Sequence, residues 1–313
     1  MAEQVLLQIK NLTKSYGDIR AVKDLSLDVF SGEVFGLLGP NGAGKTTTIK
    51  LMSGLLKPDS GEVILRGKPL AAEDGKTRRR IGICPQENVL WTKLTPAEQL
   101  IFLGSMYGMK PSLIRQRCQM LLEVLGLRDS ANKLAGTLSG GMQRRLNIAL
   151  ALIHDPEIGI LDEPEAGLDP QSRISVRKYI KSLADEKTII LTTHNMDEAE
   201  RLADRVAIID RGKLMVLDKP DTLKQTVGEG DVLEITLLNQ KEAIELDLSF
   251  LEDRAQILIV DNVLQIRALD LVNLLQSILA RLHDSGIQTG DIRLRKNTLE
   301  DVFIKLTGRR LRE

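Results

Sequence analysis

Cysteine, aromatic residues and an excess charge of either sign are what this 313-residue chain has least of. Its two cysteines, Cys84 and Cys118, are too few and too far apart for a disulfide framework or a thiolate metal cluster. They fit a reducing compartment, where thiols stay free. Aromatic residues make up 3% of the chain, with a single tryptophan, Trp91. Lys plus Arg and Asp plus Glu stand at 43 each, so the basic excess that marks most nucleic-acid binders is missing. A local basic patch stays open, but no nucleic-acid partner is expected. No apolar run approaches the roughly 18 residues that cross a bilayer. The longest, such as Ile148 to Ile153, are core-sized. The opening MAEQVLLQIK has no apolar stretch of signal-peptide length. Any work on a membrane must therefore pass through a partner. There is also no internal repeat and no low-complexity tract.

What is present reads as a globular α/β chain, 42% hydrophobic and 27% charged. Val5, Leu7 and Ile9, then Leu25, Leu27 and Val29, alternate as half-buried strands about a turn near Tyr16 and Gly17. Val34 to Leu38 is apolar throughout apart from Gly36, as a strand buried on both faces should be. Helix-compatible residues run on to Met52, and Gly54 with Lys57 to Gly61 supply a stop and a turn. From Thr95 to about Lys133 the spacing becomes helical, an insertion between two parts of the core. Strands return at Ile158–Leu161, Thr188–Thr192 and Val206–Ile209, and a hairpin at Arg211-Gly212 leads into Lys213–Leu217. A linker near Thr226 to Gly230 sets the expected division into 1–225 and 226–313, with a helical subdomain at about 90–145. Beyond it, strands at Val232–Leu238, Gln256–Val260, Val263–Arg267 and Ile292–Leu294 accompany helices over Leu271–Leu282 and Leu299–Leu306. That makes a small α+β domain.

Two segments carry chemistry on their own. Gly39-Pro40-Asn41-Gly42-Ala43-Gly44-Lys45-Thr46, between a strand and a helix, fits the phosphate-cradling pattern G-x-x-x-x-G-K-[ST]. Glycines let successive backbone N–H groups face phosphates, and the following helix offers its positive end. Asn41, Gly42, Gly44 and Thr47 belong to that cradle; Lys45 would reach the β- and γ-phosphates, and the Thr46 hydroxyl would coordinate Mg²⁺. The apolar run Ile158 to Leu161 ends in Asp162 and Glu163. Asp162 would hold the Mg²⁺ shell and Glu163 would polarise an attacking water. A solvated acidic turn at a strand end is the plainer reading of that pair taken alone.

Leu138-Ser139-Gly140-Gly141-Met142-Gln143-Arg144-Arg145-Leu146 narrows the class: it resembles the LSGGQ signature of ATP-binding-cassette (ABC) proteins. The resemblance covers about Val5 to Leu223. It implies a P-loop NTPase cassette with a RecA-like core, an N-terminal antiparallel β subdomain and a helical signature subdomain. It also implies ATP and Mg²⁺ as ligands, and a homodimer, or a heterodimer with a second cassette. In the family, the signature of one subunit closes over ATP held by the other, which casts Ser139, Gly140 and Gly141 as a second anion site. Gln86 matches the Q-loop glutamine that contacts Mg²⁺, Gly167-Leu168-Asp169 the D-loop, and His194 the switch histidine at the γ-phosphate. Tyr16 resembles the aromatic that stacks on adenine, with a surface turn tyrosine as the alternative. Glu165 departs from the usual Ser or Thr, and Gly159 interrupts the strand before Asp162.

The same resemblance implies a separately encoded transmembrane permease and a peripheral place on the cytoplasmic face of the cell membrane. Glu87, Val89, Leu90 and Trp91 beside Gln86 are the expected docking surface, with burial inside the subdomain as the other reading of Trp91. The ending Asn297 to Phe303, then Leu306 to Arg309, resembles the accessory domain of ABC-2 exporter ATPases of the daunorubicin-resistance type. Those helix residues are equally the core face of an ordinary helix. A non-transport cassette acting on DNA or ribosomes is the competing function. Such proteins usually carry a long insertion or two cassettes, whereas about fifty residues separate Gln86 from Leu138 here.

Overall fold

The computed structural model describes residues 4–70, 77, 79–184, 186–227, 230–238, 251, 255–260, 262–268 and 271–308. The chain divides into two compact units between Lys219 and Pro220. That lies ahead of the division expected after residue 225. The reason is local: Pro220 opens a helix, Pro220–Val227, and proline suits a first helical turn, where its missing N–H goes unused. Residues 228 and 229 of the expected linker lie outside the described residues, as does Arg309 of the expected ending.

In the first unit, β1 (Val5–Tyr16) and β2 (Ile19–Phe30) form a hairpin, and β1 also pairs antiparallel with β4 (Ser60–Leu65), itself edged by β5 (Lys68–Pro69). The alternation in β1 and β2 has the expected result: Leu7, Ile9, Leu25, Leu27 and Val29 are buried, while Val5 at the strand's start is 39% exposed. Ser60 and Gly61, read from sequence as turn residues, belong to β4 because β1 offers a partner, Thr13 facing Ser60 and Lys10 facing Glu62. Sheet pairing overrides a weak local preference there.

The second sheet runs β10-β9-β3-β8-β7-β6. Its five parallel strands are β9 (Arg205–Asp210), β3 (Val34–Leu38), β8 (Thr188–Thr193), β7 (Ile158–Asp162) and β6 (Ile81–Cys84), and β10 (Lys213–Asp218) closes one edge antiparallel. β3, β7 and β8 are buried along their whole length, as parallel strands covered on both faces must be. A side chain on Gly159 would meet Ile189 Cδ1 at 3.0 Å and Leu152 Cδ2 at 3.3 Å. Neighbouring side chains fill the place that Gly159 leaves, and β7 continues unbroken through it.

Helices α1 (Lys45–Met52), α2 (Pro96–Met106), α3 (Pro111–Val124), α4 (Gly140–Leu152), α5 (Pro170–Ala184) and α6 (Met196–Leu202) complete this unit. Thr95 starts α2 with a capping box: its hydroxyl accepts from Glu98 N and the Glu98 carboxylate accepts from Thr95 N. Such reciprocal capping is worth about 1 kcal/mol.

The second unit begins with α7 (Pro220–Val227) and contains a four-stranded antiparallel sheet, β12-β13-β11-β14. Its strands are β12 (Ala255–Val260), β13 (Val263–Ala268), β11 (Asp231–Leu237) and β14 (Thr289–Arg295). Leu271, Ile278 and Leu282 of α8 (Leu271–Asp284) join Leu233, Ile235, Leu264 and Ile266 in one apolar core. Elsewhere in this unit lies an ionic cluster. Asp301 of α9 (Leu299–Thr307), fully buried, accepts from Arg295 at 2.8 Å and pairs with Arg267 at 3.2 Å, while Arg295 also reaches Glu234 at 2.7 Å. Leu299, Val302 and Phe303 are core residues, and Leu306 is half-buried.

Candidate functional site

Four neighbouring strands deliver the site. The loop after β3 carries Gly39 to Gly44 and leads into Lys45 of α1, His194 follows β8, Asp162 ends β7 with Glu163 next, and Gln86 follows β6. Ligands of open α/β sheets bind at these carboxyl ends.

The loop after β3 is shaped for an anion. Gly44 holds φ at +102°, and a Cβ there would stand 2.3 Å from the Ala21 carbonyl oxygen. A Cβ on Gly39 would stand 2.3 Å from the carbonyl oxygen of Ile209. Only glycine satisfies both positions. α1 has no acidic residue in its first turn, so its positive end is uncompensated by any side chain of that turn. Lys45, 7% exposed, donates through Nζ to the carbonyls of Gly39 at 2.7 Å and Pro40 at 3.1 Å. Burial pulls its ammonium below the usual range, and the carboxylates of Glu163 and Asp162 push back.

Thr46 Oγ1 donates to one Asp162 oxygen at 3.2 Å, and the Thr192 hydroxyl donates to the other. Glu163 is 8% exposed and adopts φ +49°. This left-handed conformation costs a non-glycine residue about 1–2 kcal/mol. The Glu163 N–H donates to both oxygens of Thr192, at 3.2 Å to the carbonyl and 3.1 Å to Oγ1. That anchoring holds the turn and aims the carboxylate: Oε1 lies 2.8 Å from His194 Nδ1, and Oε2 accepts from Gln86 Nε2 at 3.4 Å. A carboxylate can only accept, so His194 presents Nδ1–H to it.

Thus Lys45, Thr46, Gln86, Asp162, Glu163 and His194, widely spaced in sequence, come together. No hydrogen bond among the described residues joins Ser139, Gly140, Gly141 or Tyr16 to them. Ser139 and Gly140 lie exposed at the amino end of α4, where Ser139 Oγ accepts from Met142 N at 3.3 Å. No acidic residue stands in the first turn of α4. Tyr16 is 50% exposed at its hairpin. Asn41 and Gly42 are exposed on the loop, and Thr47 is half-buried in α1.

Glu165 does not present a free charge to the site. It is 2% exposed, and Arg177 donates to both its oxygens, at 3.3 and 3.0 Å. Its carboxyl also meets that of Glu198; burial first, then this hydrogen bond and the like charge, push Glu198 up to about 7. Beside Gln86, Trp91 is 45% exposed and stands edge-on to Phe102, their ring centres 5.4 Å apart. With Ile83, Val89, Leu103 and Tyr107 it lines an apolar cavity of about 280 Å³. The ring of His154 in its wall stacks on Tyr107 at 3.8 Å and is held neutral by burial, with a pKa near 4.

Sequence reasoning missed two supports of this site, Arg144 and Thr192. Along the sequence Thr192 is a strand residue and Arg144 part of a motif. A threonine closing the apolar run Ile189 to Leu191 is a signal for Thr192, since buried polar groups need partners; Arg144, between Gln143 and Arg145, has none.

A P-loop between strand and helix, two carboxylates at the end of the neighbouring strand, and a histidine and glutamine converging on one of them define a nucleoside-triphosphate hydrolase. The ABC transporter family model matches residues 22–166. The linearmycin resistance ATP-binding protein LnrL of Bacillus subtilis is 38% identical over 311 residues, covering 98% of this chain and all of that protein. The Nod factor export ATP-binding protein I of Cupriavidus pinatubonensis is 40% identical over 310 residues, covering 98% of this chain and 92% of that one. Among solved structures, a dimeric, post-hydrolysis ATP-binding cassette bound to ADP and Pi is 30% identical with a TM-score of 0.64, over 68% of this chain and 98% of that one. The chain belongs to the ABC transporter family, as an ATP-binding, ATP-hydrolysing subunit of the ABC-2 exporter class. The DNA- or ribosome-directed alternative gives way to this full-length match. No helix of the described residues is long and apolar enough to cross a membrane.

Proposed function

We propose that two such chains sandwich two ATP molecules and, by closing and reopening, drive export through a separately encoded transmembrane permease. The observation that carries this is the separation of two anion-binding features within one chain. Lys45 and the loop around it form one with Asp162 and Glu163, while Ser139 and Gly140, exposed, and Gly141, half-buried, stand at the amino end of α4, joined to none of them by a hydrogen bond. A second chain supplies the missing half of each site, which accords with ABC cassettes being dimeric.

Within each site, Asn41 to Thr47 cradle the phosphates, and Tyr16 lies against the adenine. Thr46, Asp162 and Gln86 would hold Mg²⁺. Their hydroxyl, carboxylate and amide oxygens suit a hard cation that keeps phosphate and water as its other ligands. Mg²⁺ supplies charge neutralisation at the β- and γ-phosphates. Glu163 is the general base for the attacking water. Its carboxylate is oriented by His194 on one oxygen and Gln86 on the other, and His194 responds to the γ-phosphate. The cassette, with a helical subdomain at about 90–145, ends near Lys219, and the unit from Pro220 onward forms an accessory domain. The apolar cavity beside Trp91 receives the permease, which fixes the subunit to the cytoplasmic face of the membrane and contains the cargo path.

The test is Glu163→Gln in the full chain. Removing the base while keeping the shape should abolish turnover and leave an ATP-dependent dimer on size-exclusion chromatography. A variant that stays monomeric with saturating ATP and Mg²⁺ would overturn the sandwich.

A further inference from the structure

Arg144 is 2% exposed, and its planar guanidinium bridges two loops. Nη1 donates to the carbonyls of Pro85 and Gln86, the latter at 3.1 Å; Nη2 donates to those of Asp162 and Glu163, the latter at 3.0 Å. These four carbonyls belong to the segments that present Gln86, Asp162 and Glu163. One turn further along α4, Asn147 Nδ2 donates to the Glu87 carbonyl at 3.2 Å. Flanking side chains tie the same helix in other directions. Arg145 Nη1 donates to the Leu125 carbonyl at 2.8 Å, and Gln143 Nε2 to that of Ala135 at 3.2 Å.

A buried guanidinium is a poor choice for packing alone. Desolvating it is unfavourable unless its donors are satisfied, and Nε finds no partner among the described residues. Its fork geometry instead meets two separate loops at once, which a point-like ammonium cannot do. Arg144 lies about 1.4 helical turns from Ser139, roughly 7.5 Å along the axis at ~1.5 Å per residue. A displacement of the exposed amino end of α4 therefore reaches the carbonyls of Gln86 and Glu163 through a rigid helix and one rigid side chain.

We propose that Arg144 is a positioning residue that makes the alignment of Gln86 and Glu163 in one site depend on engagement of the same chain's Ser139-Gly140-Gly141 by nucleotide held in the opposite site. Arg144 touches no nucleotide itself; it couples the two sites of the dimer. This rests on the sandwich reading above.

The experiment uses full-length chains. Arg144→Gln and Arg144→Lys, checked for folding by thermal melting, are expected to bind a fluorescent ATP analogue within about twofold of wild type, because the hydrogen bonds of Lys45 go to Gly39 and Pro40 and those of Arg144 to other carbonyls. Their kcat should fall at least tenfold, and the ATPase Hill coefficient should drop from near 2, the limit for two coupled sites, to near 1. Either folded variant keeping both kcat and Hill coefficient overturns the proposal. Hydrogen exchange on the Glu163→Gln chain gives a test that needs no change at Arg144. With ATP and Mg²⁺, the amides of 139–142 and of 86–87 should become protected together. Protection at 139–142 alone refutes Arg144 coupling and leaves the sandwich intact; no protection at 139–142 refutes the sandwich first, and the coupling with it.

Discussion

Replacing Glu165 by glutamine should change how stability varies with pH, and the structure supplies both sign and size. Two carboxyls, Glu165 and Glu198, meet in a pocket served by Arg177, at 3.0 Å from Glu165, and Arg173, at 3.9 Å from Glu198. Burial, the contact with Glu165 and the like charge raise Glu198 from its ordinary 4.5 to about 7. The folded chain thus holds this proton more tightly than the unfolded chain. The associated stability is fully present below pH 4.5 and is lost as pH rises through about 7. At 1.36 kcal/mol per pH unit the loss is ~3 kcal/mol, and ~2 kcal/mol once partial solvent access to Glu198, 14% exposed, is allowed for. In a unit of this size, that corresponds to roughly 4–8 °C in Tm. Glu165→Gln removes the like charge and leaves burial as the main cause. Near pH 5.5 the variant should melt below wild type, because Arg177 loses a charged partner, at about 1–3 kcal/mol. By pH 8 the gap should narrow by only part of that roughly 4–8 °C, since burial still lifts Glu198 in both chains and the wild type alone adds carboxylate repulsion. Thermal melts of both chains at four pH values between 5.5 and 8.5 decide it. A Tm difference that stays constant within 1 °C across that range refutes the shared-proton account.

Gly39→Ala places a Cβ 2.3 Å from the carbonyl of Ile209; about 1–3 kcal/mol of stability should be lost, with weaker ATP binding, by denaturant titration and calorimetry. Asp301→Ala strips the buried partner from Arg295 and Arg267. A loss of about 3–5 kcal/mol is expected, seen as earlier melting of the second unit with ATP binding retained by the first. Burial lifts the Cys84 thiol to about 11 and raises that of Cys118 as well. Neither should be labelled by iodoacetamide at pH 8 in the native chain, and both should react once denatured; mass spectrometry distinguishes the two states.

Much of the site was legible from residues because its chemistry demands particular atoms at particular spacings. A phosphate cradle needs backbone N–H groups freed by glycine next to a lysine and a hydroxyl, and these are contiguous from Gly39 to Thr46. Periodicity likewise indicated β1, β2, β3, β7 and β8, whose burial follows directly from which side chains are apolar. His194 and Gln86 became visible only through resemblance, since a lone histidine or glutamine has no local signature.

Other features had no sequence signal because they depend on what lies opposite in space. β6, with two glycine-flanking isoleucines in a four-residue strand, exists because β7 is there to pair with it, Ile81 to Ile158 and Cys84 to Leu161. Glu165 reads as a surplus charge along the chain, yet Arg177, twelve residues on, neutralises it once α5 folds back. The left-handed turn at Glu163 is held by Thr192, a strand away. Arg144 meets four carbonyls from two loops that only the sheet order makes neighbours. Sequence by itself determined which groups are available for ATP chemistry, through local spacing and hydrophobic period. Tertiary structure alone decided which of them meet, because charge pairing, desolvation and hydrogen-bond geometry act through distances of a few ångströms between residues far apart in the chain.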